Sequence, residues 1–260
     1  MSVQALSAAW EDVYHANLIN ARLAADMELI NHTFKLQPFF HIDERAVTNP
    51  VRAFRHEFSR LMADWILSGK VAVSEEMKAL NPNAGNFGTM FNDILCTAYG
   101  PRILEQVPFV VRELQRNPDS RRACIMMLGT DDRHVADALH AGTTNCEYMC
   151  TYAFNFRVRN GALDMTVSMR SNNYTTTVCQ DVYVFARLQE KVADLLQVAV
   201  GAYYHHTVSG HIFNGEAPKA DAILKAYVTE HAGPNYDGPQ FSEANGWLGA
   251  IRCLRNEGAW

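Results

Sequence analysis

Residues 150–171 read CTYAFNFRVRNGALDMTVSMRS. Two alternating segments flank Asn160-Gly161. Tyr152, Phe154, Phe156 and Val158 share one side of the first, and Met165, Val167 and Met169 share one side of the second. A period of two is that of a half-buried strand. Asn-Gly between two such runs is a strong hairpin signal, because both central residues of a type I′ turn take positive φ. With Asn160 and Gly161 as the loop, Arg159 faces Ala162, and Cys150 comes opposite Ser171, beside Arg170. A bulge would shift that register by one residue without parting the two ends. The hairpin therefore predicts a cysteine next to a guanidinium. A nearby cation favours thiolate, the nucleophilic form. The alternative is a small packing residue, as buried cysteines commonly are.

Helices are expected on both sides of this hairpin. Residues 4–29 contain no Gly or Pro and have apolar residues at helical spacing. Residues 52–68 form a second candidate, ending at Gly69. A third starts at Pro108 and runs to Arg116, stopping at Asn117-Pro118. The fourth, 181–200, is apolar enough to be buried. Residues 123–128 (ACIMML) predict a strand covered on both faces. Residues 205–213 predict another. Helices and strands mix without regular alternation, so the class is α+β, with a mixed sheet packed by helices. No repeat, low-complexity segment or Gly/Ser linker divides the chain, so 1–260 is expected to be a single domain.

The 260 residues are 48% hydrophobic, enough for a sizeable core. No apolar run approaches the length of a membrane span. The N-terminus lacks a basic segment followed by an apolar one, so no signal peptide is read and a cytoplasmic location is expected. Six cysteines stand at 96, 124, 146, 150, 179 and 253 without a C-x-x-C pair. No zinc or other metal site is expected, and the thiols are expected to be reduced. A net charge of −5 argues against a broad nucleic-acid surface. It leaves room for one small phosphate. The NPDSRR stretch (117–122) ends in Arg121 and Arg122, which are either a solvated pair or a phosphate grip. Arg170 and Ser171 offer a further cation and a hydroxyl.

Several separated motifs now agree with one family. MRSNNYTTTVCQD (169–181), the cysteine 20 positions before its Arg, and HTVSGHIF (206–213) resemble the thymidylate synthase superfamily. NPDSRR, Met149-Cys150-Thr151 and the MRSN stretch are most similar to its phage deoxycytidylate (dCMP) hydroxymethylases. The resemblance runs from about Asn49 to Phe213. It implies a thymidylate synthase-like fold and a homodimer formed through the sheet. It implies that Cys150 attacks C6 of a pyrimidine deoxynucleoside monophosphate. C5 then takes a one-carbon unit from 5,10-methylenetetrahydrofolate, the co-substrate. Arg170 and Ser171 match the phosphate-binding pair, and Arg121 and Arg122 match a pair that enters the neighbouring subunit's site. His211 matches the residue that bonds the sugar 3′-hydroxyl, and Tyr99 a tyrosine of the catalytic network. Asn173 stands where a folate-binding Asp is usual.

Asp181 occupies the position at which the synthases carry Asn. A carboxylate accepts from the N4 amino group of cytosine, which favours dCMP and a 5-hydroxymethyl product. Asp181 also opens a helix candidate, where Asp is a common N-cap. Thr151, where synthases usually have His, sides with the hydroxymethylases. Two departures stand out. Three residues before Trp65 the family has a proton-handling Glu, and this chain has Met62. Glu57 and Asp64 do not share Met62's helical face. The family's Tyr two residues after His211 is Phe213, which removes one hydrogen bond to the sugar. The other readings are a dUMP or other cytidylate enzyme of the same fold, methylating or hydroxymethylating, and a non-catalytic nucleotide-binding homologue.

Overall fold

The computed structural model of the chain describes residues 3–36 and 56–232. In order, the elements are α1 (Val3–Leu23), β1 (Glu28–Leu36), α2 (His56–Leu67) and α3 (Glu75–Leu80). A small hairpin follows, β2 (Met90–Phe91) and β3 (Ile94–Leu95), then α4 (Tyr99–Arg116), β4 (Cys124–Met126) and α5 (Arg133–His140). The chain continues through β5 (Thr151–Arg159), β6 (Ala162–Asn173), α6 (Val178–Leu196), β7 (Ala199–His211) and α7 (Ala217–Ala232). Five strands make one mixed sheet in the order β1-β7-β6-β5-β4. β6 and β7 run parallel, and the other neighbours run antiparallel. The class is α+β, as the sequence predicts.

The β5–β6 hairpin turns at Asn160 (φ 52°) and Gly161 (φ 74°), the left-handed pair that its loop requires. Register runs as expected from Arg159 opposite Ala162 to Ala153 opposite Ser168. A bulge between Thr151 and Ala153 then shifts it by one. Cys150 consequently lies opposite Arg170, whose backbone N–H donates to its carbonyl at 2.8 Å, and not opposite Ser171. Leu163, Met165, Val167 and Met169 of β6 are buried under the helices, while Asp164, Thr166 and Ser168 on the other face are partly exposed.

The parallel β6–β7 pair needs a crossover, and α6 supplies it. Buried Gln189 of α6 donates through Nε2 to the carbonyl of Leu163 at 2.7 Å, with the carbonyls of Gly201 and Ala202 at 3.3 and 3.2 Å. That side chain pins the helix across both strands that it connects. Its first turn is thereby set over the ends of β6 and β7.

Several boundaries differ from the sequence reading. The helix expected over 4–29 stops at Leu23, and Glu28–Leu36 is an edge strand. No Gly or Pro marks the break. Asp26 and Met27 make it by taking positive φ, 56° and 53°, and pairing with β7 outweighs helix propensity. The third helix begins at Tyr99, not Pro108. Pro108 lies inside it on an exposed face, where water can serve the carbonyl that its missing N–H leaves unpaired. The fourth runs Val178–Leu196, and residues 199–200 already belong to β7. β4 is a short sheet edge rather than a strand covered on both faces, and Met126 is 53% exposed. The 205–213 strand starts earlier and ends at His211. Residues 52–55 of the second helix lie outside the described residues. No helix among the described residues is long and apolar enough to cross a membrane.

α2 and α4 meet without a side chain between them. A Cβ on Gly100 would lie 2.4 Å from the Ile66 carbonyl oxygen and 2.9 Å from Gly69 Cα. Gly100→Ala is therefore expected to lower the unfolding free energy by about 1–3 kcal/mol through overpacking. Urea denaturation measures it, and an unchanged midpoint would contradict the close approach.

Candidate active site

A cavity of about 770 Å³ opens where β5, β6 and β7 end near α2 and the first turn of α6. Cys150, Tyr99, Arg170, Ser171, Asp181 and His211 all line it. Asn173, Met62 and Phe213 line it as well. Arg121 and Arg122 do not: both are exposed on the chain's surface, and Arg122 pairs with Glu113 at 2.8 Å.

Arg170 is held in place by backbone. Its Nε donates to the Met149 carbonyl at 2.9 Å, and its Nη2 to the Tyr148 carbonyl at 3.0 Å. Nη2 also lies 3.6 Å from Cys150 Sγ, and the guanidinium sits over the Tyr148 ring at 5.1 Å. The predicted juxtaposition of thiol and cation is present. Its electrostatic outcome differs from the expectation of a depressed thiol pKa. Burial pushes the Cys150 thiol up, Arg170 pulls it down, and Asp181 and Glu147 add to the rise, leaving it above its ordinary value.

Asp181 is not the N-cap of α6. The helix is capped at Thr177, and the Asp181 N–H already donates to the Thr177 carbonyl at 3.0 Å. Its carboxylate accepts from Asn172 Nδ2 and from the Thr177 side chain. Burial outweighs those bonds, and its pKa rises to about 7. Neutral pH thus finds this carboxyl sharing its time between acid and carboxylate. Tyr99 donates to Thr151 Oγ1 at 3.2 Å and accepts from the Thr151 N–H at 3.4 Å, so it buttresses the residue after the cysteine. Burial raises its pKa too.

Asn173 has its amide occupied. Oδ1 accepts from the N–H groups of Thr175 and Thr176 at 2.8 and 3.1 Å, and Nδ2 donates to Glu216 at 2.6 Å. The residue shapes the β6–α6 turn and ties it to the segment after β7. Two cavity-lining residues carry buried polar atoms without a partner among the described residues, Asn172 Oδ1 and His211 Nε2. Such atoms are costly unless something bonds them, and a ligand with hydroxyl or amino groups fits the need. Phe213, 60% exposed, stands edge-on to His211 at 4.6 Å.

Met62 presents a thioether to the cavity beside Phe58, Trp65 and Ile66. Glu57 and Asp64 are exposed and line none of it, and Asp64 faces Arg60 at 3.5 Å. Sequence reasoning missed Asn172, Tyr148 and Glu147 as wall residues. Asn172 had a signal in its place between Ser171 and Asn173. Glu147 lies in a loop without periodicity. Among the described residues no group of three or more His, Cys, Asp or Glu side chains is placed to hold a metal ion.

Asp181 has a stability consequence whose sign follows from its shift. In the unfolded chain it titrates near the ordinary 3.8, and in the folded chain at about 7. The folded chain therefore binds this proton more tightly. The contribution to stability is greatest below the lower value and is lost as pH rises through the higher one. Asp181→Asn removes the charge, so its thermal midpoint relative to the unmodified chain should rise between about pH 5 and about pH 8. A difference that does not change with pH would refute the buried carboxyl.

A family model described as thymidylate synthase matches residues 59–235. The chain is similar to a deoxyuridylate hydroxymethyltransferase of Bacillus phage SP01, 28% identical over 188 residues, covering 63% of this chain and 45% of that protein. It is also similar to a thymidylate synthase of Bacillus licheniformis, 27% identical over 129 residues, covering 50% of this chain and 43% of the relative. The chain thus spans about half the length of the curated relatives it matches. The crystal structure of thymidylate synthase from T4 phage shares its fold, with a TM-score of 0.54 and 17% identity over 76% of this chain and 71% of that one. The chain belongs to the thymidylate synthase family.

Proposed function

We propose that the chain transfers a one-carbon unit from 5,10-methylenetetrahydrofolate to C5 of a pyrimidine deoxynucleoside monophosphate, through a covalent adduct of Cys150 at C6. The substrate is dCMP and the product 5-hydroxymethyl-dCMP. The observation that carries this reading is the shared cavity wall of Cys150, Arg170 and Asp181. The sulfur of Cys150 bonds to C6 and makes C5 nucleophilic, which the unmodified ring is too poor to be. Arg170 and Ser171 receive the phosphate, and Arg170 Nη1 carries no bond to another described residue. His211 Nε2 meets the sugar hydroxyl. Asp181 accepts from the N4 amino group of cytosine. With a pKa of about 7 it also has a proton to lend N3 as the ring is attacked.

The folate supplies a carbon at the oxidation level of formaldehyde. The residues present suit such a molecule: the largely buried rings of Phe58 and Trp65 and the ring of Phe87 line the cavity and would pack with a pterin, and Lys219 would meet a carboxylate. Because Asn173 is bonded to Glu216 and to the turn, its part is to position that wall. Water, not hydride, completes the product. A specific observation favours a second substrate: the similar SP01 protein is by name a deoxyuridylate enzyme. Incubation with methylenetetrahydrofolate and each nucleotide, read by product mass, decides. The expected product is 5-hydroxymethyl-dCMP, absent with Cys150→Ser. Thymidylate or hydroxymethyl-dUMP from dUMP, with dCMP inert, rejects the dCMP assignment. Asp181→Asn should move preference toward dUMP, and unchanged selectivity would mean that the base is read elsewhere.

The same reading includes a homodimer formed through the partly exposed face of the sheet that bears Asp164, Thr166 and Ser168, with Arg121 and Arg122 of one subunit completing the other's cavity. It is supported by the exposure of both arginines and by their absence from the chain's own cavity wall. Mixing the Cys150→Ser chain with an Arg121→Ala/Arg122→Ala chain should regain activity that neither has alone, since a hybrid dimer holds one intact site. No regain would count against shared arginines.

A further inference from the structure

The cavity wall carries two carboxyl groups among the described residues, Asp181 and Glu147. Asp181 is bonded to Asn172 and Thr177 and is committed to the base in the reading above. Met62, which the family pattern would make a proton carrier, has no proton to exchange. Glu147 stands three residues before Cys150 in the loop that follows α5.

That loop is anchored on both sides of Glu147. Cys146 before it is fully buried, packs with Cys96, and donates its N–H to Thr144 Oγ1 at 3.2 Å. The carbonyl of Tyr148 after it is held by Arg170 at 3.0 Å. A reactive group held by fixed neighbours keeps its aim. Glu147 is exposed to solvent although it also lines the cavity, as a group that renews its proton from water must be. The protein crowds its carboxyl enough to raise its pKa, and its charge is felt by both Cys150 and Asp181. No described side chain bonds the carboxyl, so it is free to serve a ligand.

We propose that Glu147 carries protons between solvent and the nucleotide ring, the post that Met62 leaves vacant. This rests on the covalent chemistry assigned to Cys150 above. The simplest step needs no folate. The Cys150 thiolate bonds to C6, the C5–C6 π pair moves to C5, and C5 takes a proton from the Glu147 carboxyl. The resulting carboxylate then removes the original C5 hydrogen, and the electron pair re-forms the double bond and expels the thiolate. One hydrogen is exchanged, and nothing is oxidised or reduced. In the forward reaction the same carboxylate takes the proton of the water that bonds to the one-carbon unit, as electrons return through the ring and release Cys150.

The test is tritium release to water from [5-³H]dCMP and, separately, from [5-³H]dUMP, without folate. It compares the unmodified chain, Glu147→Gln and Asp64→Asn, with nucleotide affinity measured by calorimetry for each. Glu147→Gln should lose about 100-fold or more of the exchange rate, the scale of general acid–base catalysis. Its nucleotide affinity should stay within about threefold, since only a proton carrier is removed. Asp64→Asn should exchange at the unmodified rate. Exchange untouched by Glu147→Gln overturns the inference and leaves the Cys150 chemistry standing. Affinity lost in step with exchange makes Glu147 a binding residue and overturns the proton role. An equal loss in Asp64→Asn moves the role to α2. If the unmodified chain releases tritium from neither nucleotide, the covalent reading itself fails, and Glu147 has no reaction to serve.

Discussion

Arg170 reaches from strand β6 back across the hairpin and closes on the chain that leads into β5. Its guanidinium bonds two successive carbonyls, those of Tyr148 and Met149, and lies against Cys150 Sγ. Charge-assisted bonds of this kind are among the stronger ones available to a folded chain. The bulge between Thr151 and Ala153 sets Arg170 directly across from Cys150. One side chain therefore fixes Cys150 and the loop bearing Glu147, and it still faces the cavity. Without it, the carbonyls of Tyr148 and Met149 would lose these donors.

The site also has a charge balance that no single residue determines. A thiol, two carboxyls and a guanidinium share one partly buried space. Burial raises Cys150, Asp181 and Glu147 alike; Glu147 also raises Asp181, and both carboxyls raise Cys150. Arg170 can compensate only one negative charge at close range. Ionising Cys150 is therefore easiest when Asp181 holds its proton. This suits chemistry in which a proton must be ready for the ring at the moment sulfur attacks.

Much of this was legible in the sequence because the decisive signal is local. Asn160-Gly161 and the alternation on either side determine the hairpin, and the hairpin brings Cys150 to Arg170 whatever the exact register. The bulge was not legible, because nothing in residues 150–153 distinguishes a kinked strand from a straight one. Helix ends were lost where breakers were unusual: Asp26 and Met27 turn the chain without Gly, and Pro108 sits inside α4 without stopping it. Asp181 read equally well as a cap, since only the start at Val178 shows that it is a buried acid. Glu147 was invisible because loop residues carry no period. Arg121 and Arg122 lie on the surface away from the cavity wall, and the role proposed for them calls on a second subunit, which one chain's pattern does not contain.

The contact at Gly100 has a mechanical meaning. With backbone lying directly on backbone, α2 and the start of α4 cannot slide past one another. Met62, Trp65 and Tyr99 consequently belong to a single stiff plate. Across the cavity from this plate, the loop before β5 is held differently, by the guanidinium of Arg170 and the buried side chain of Cys146. One wall of the cavity is thus backbone set on backbone, and the other is held by charge.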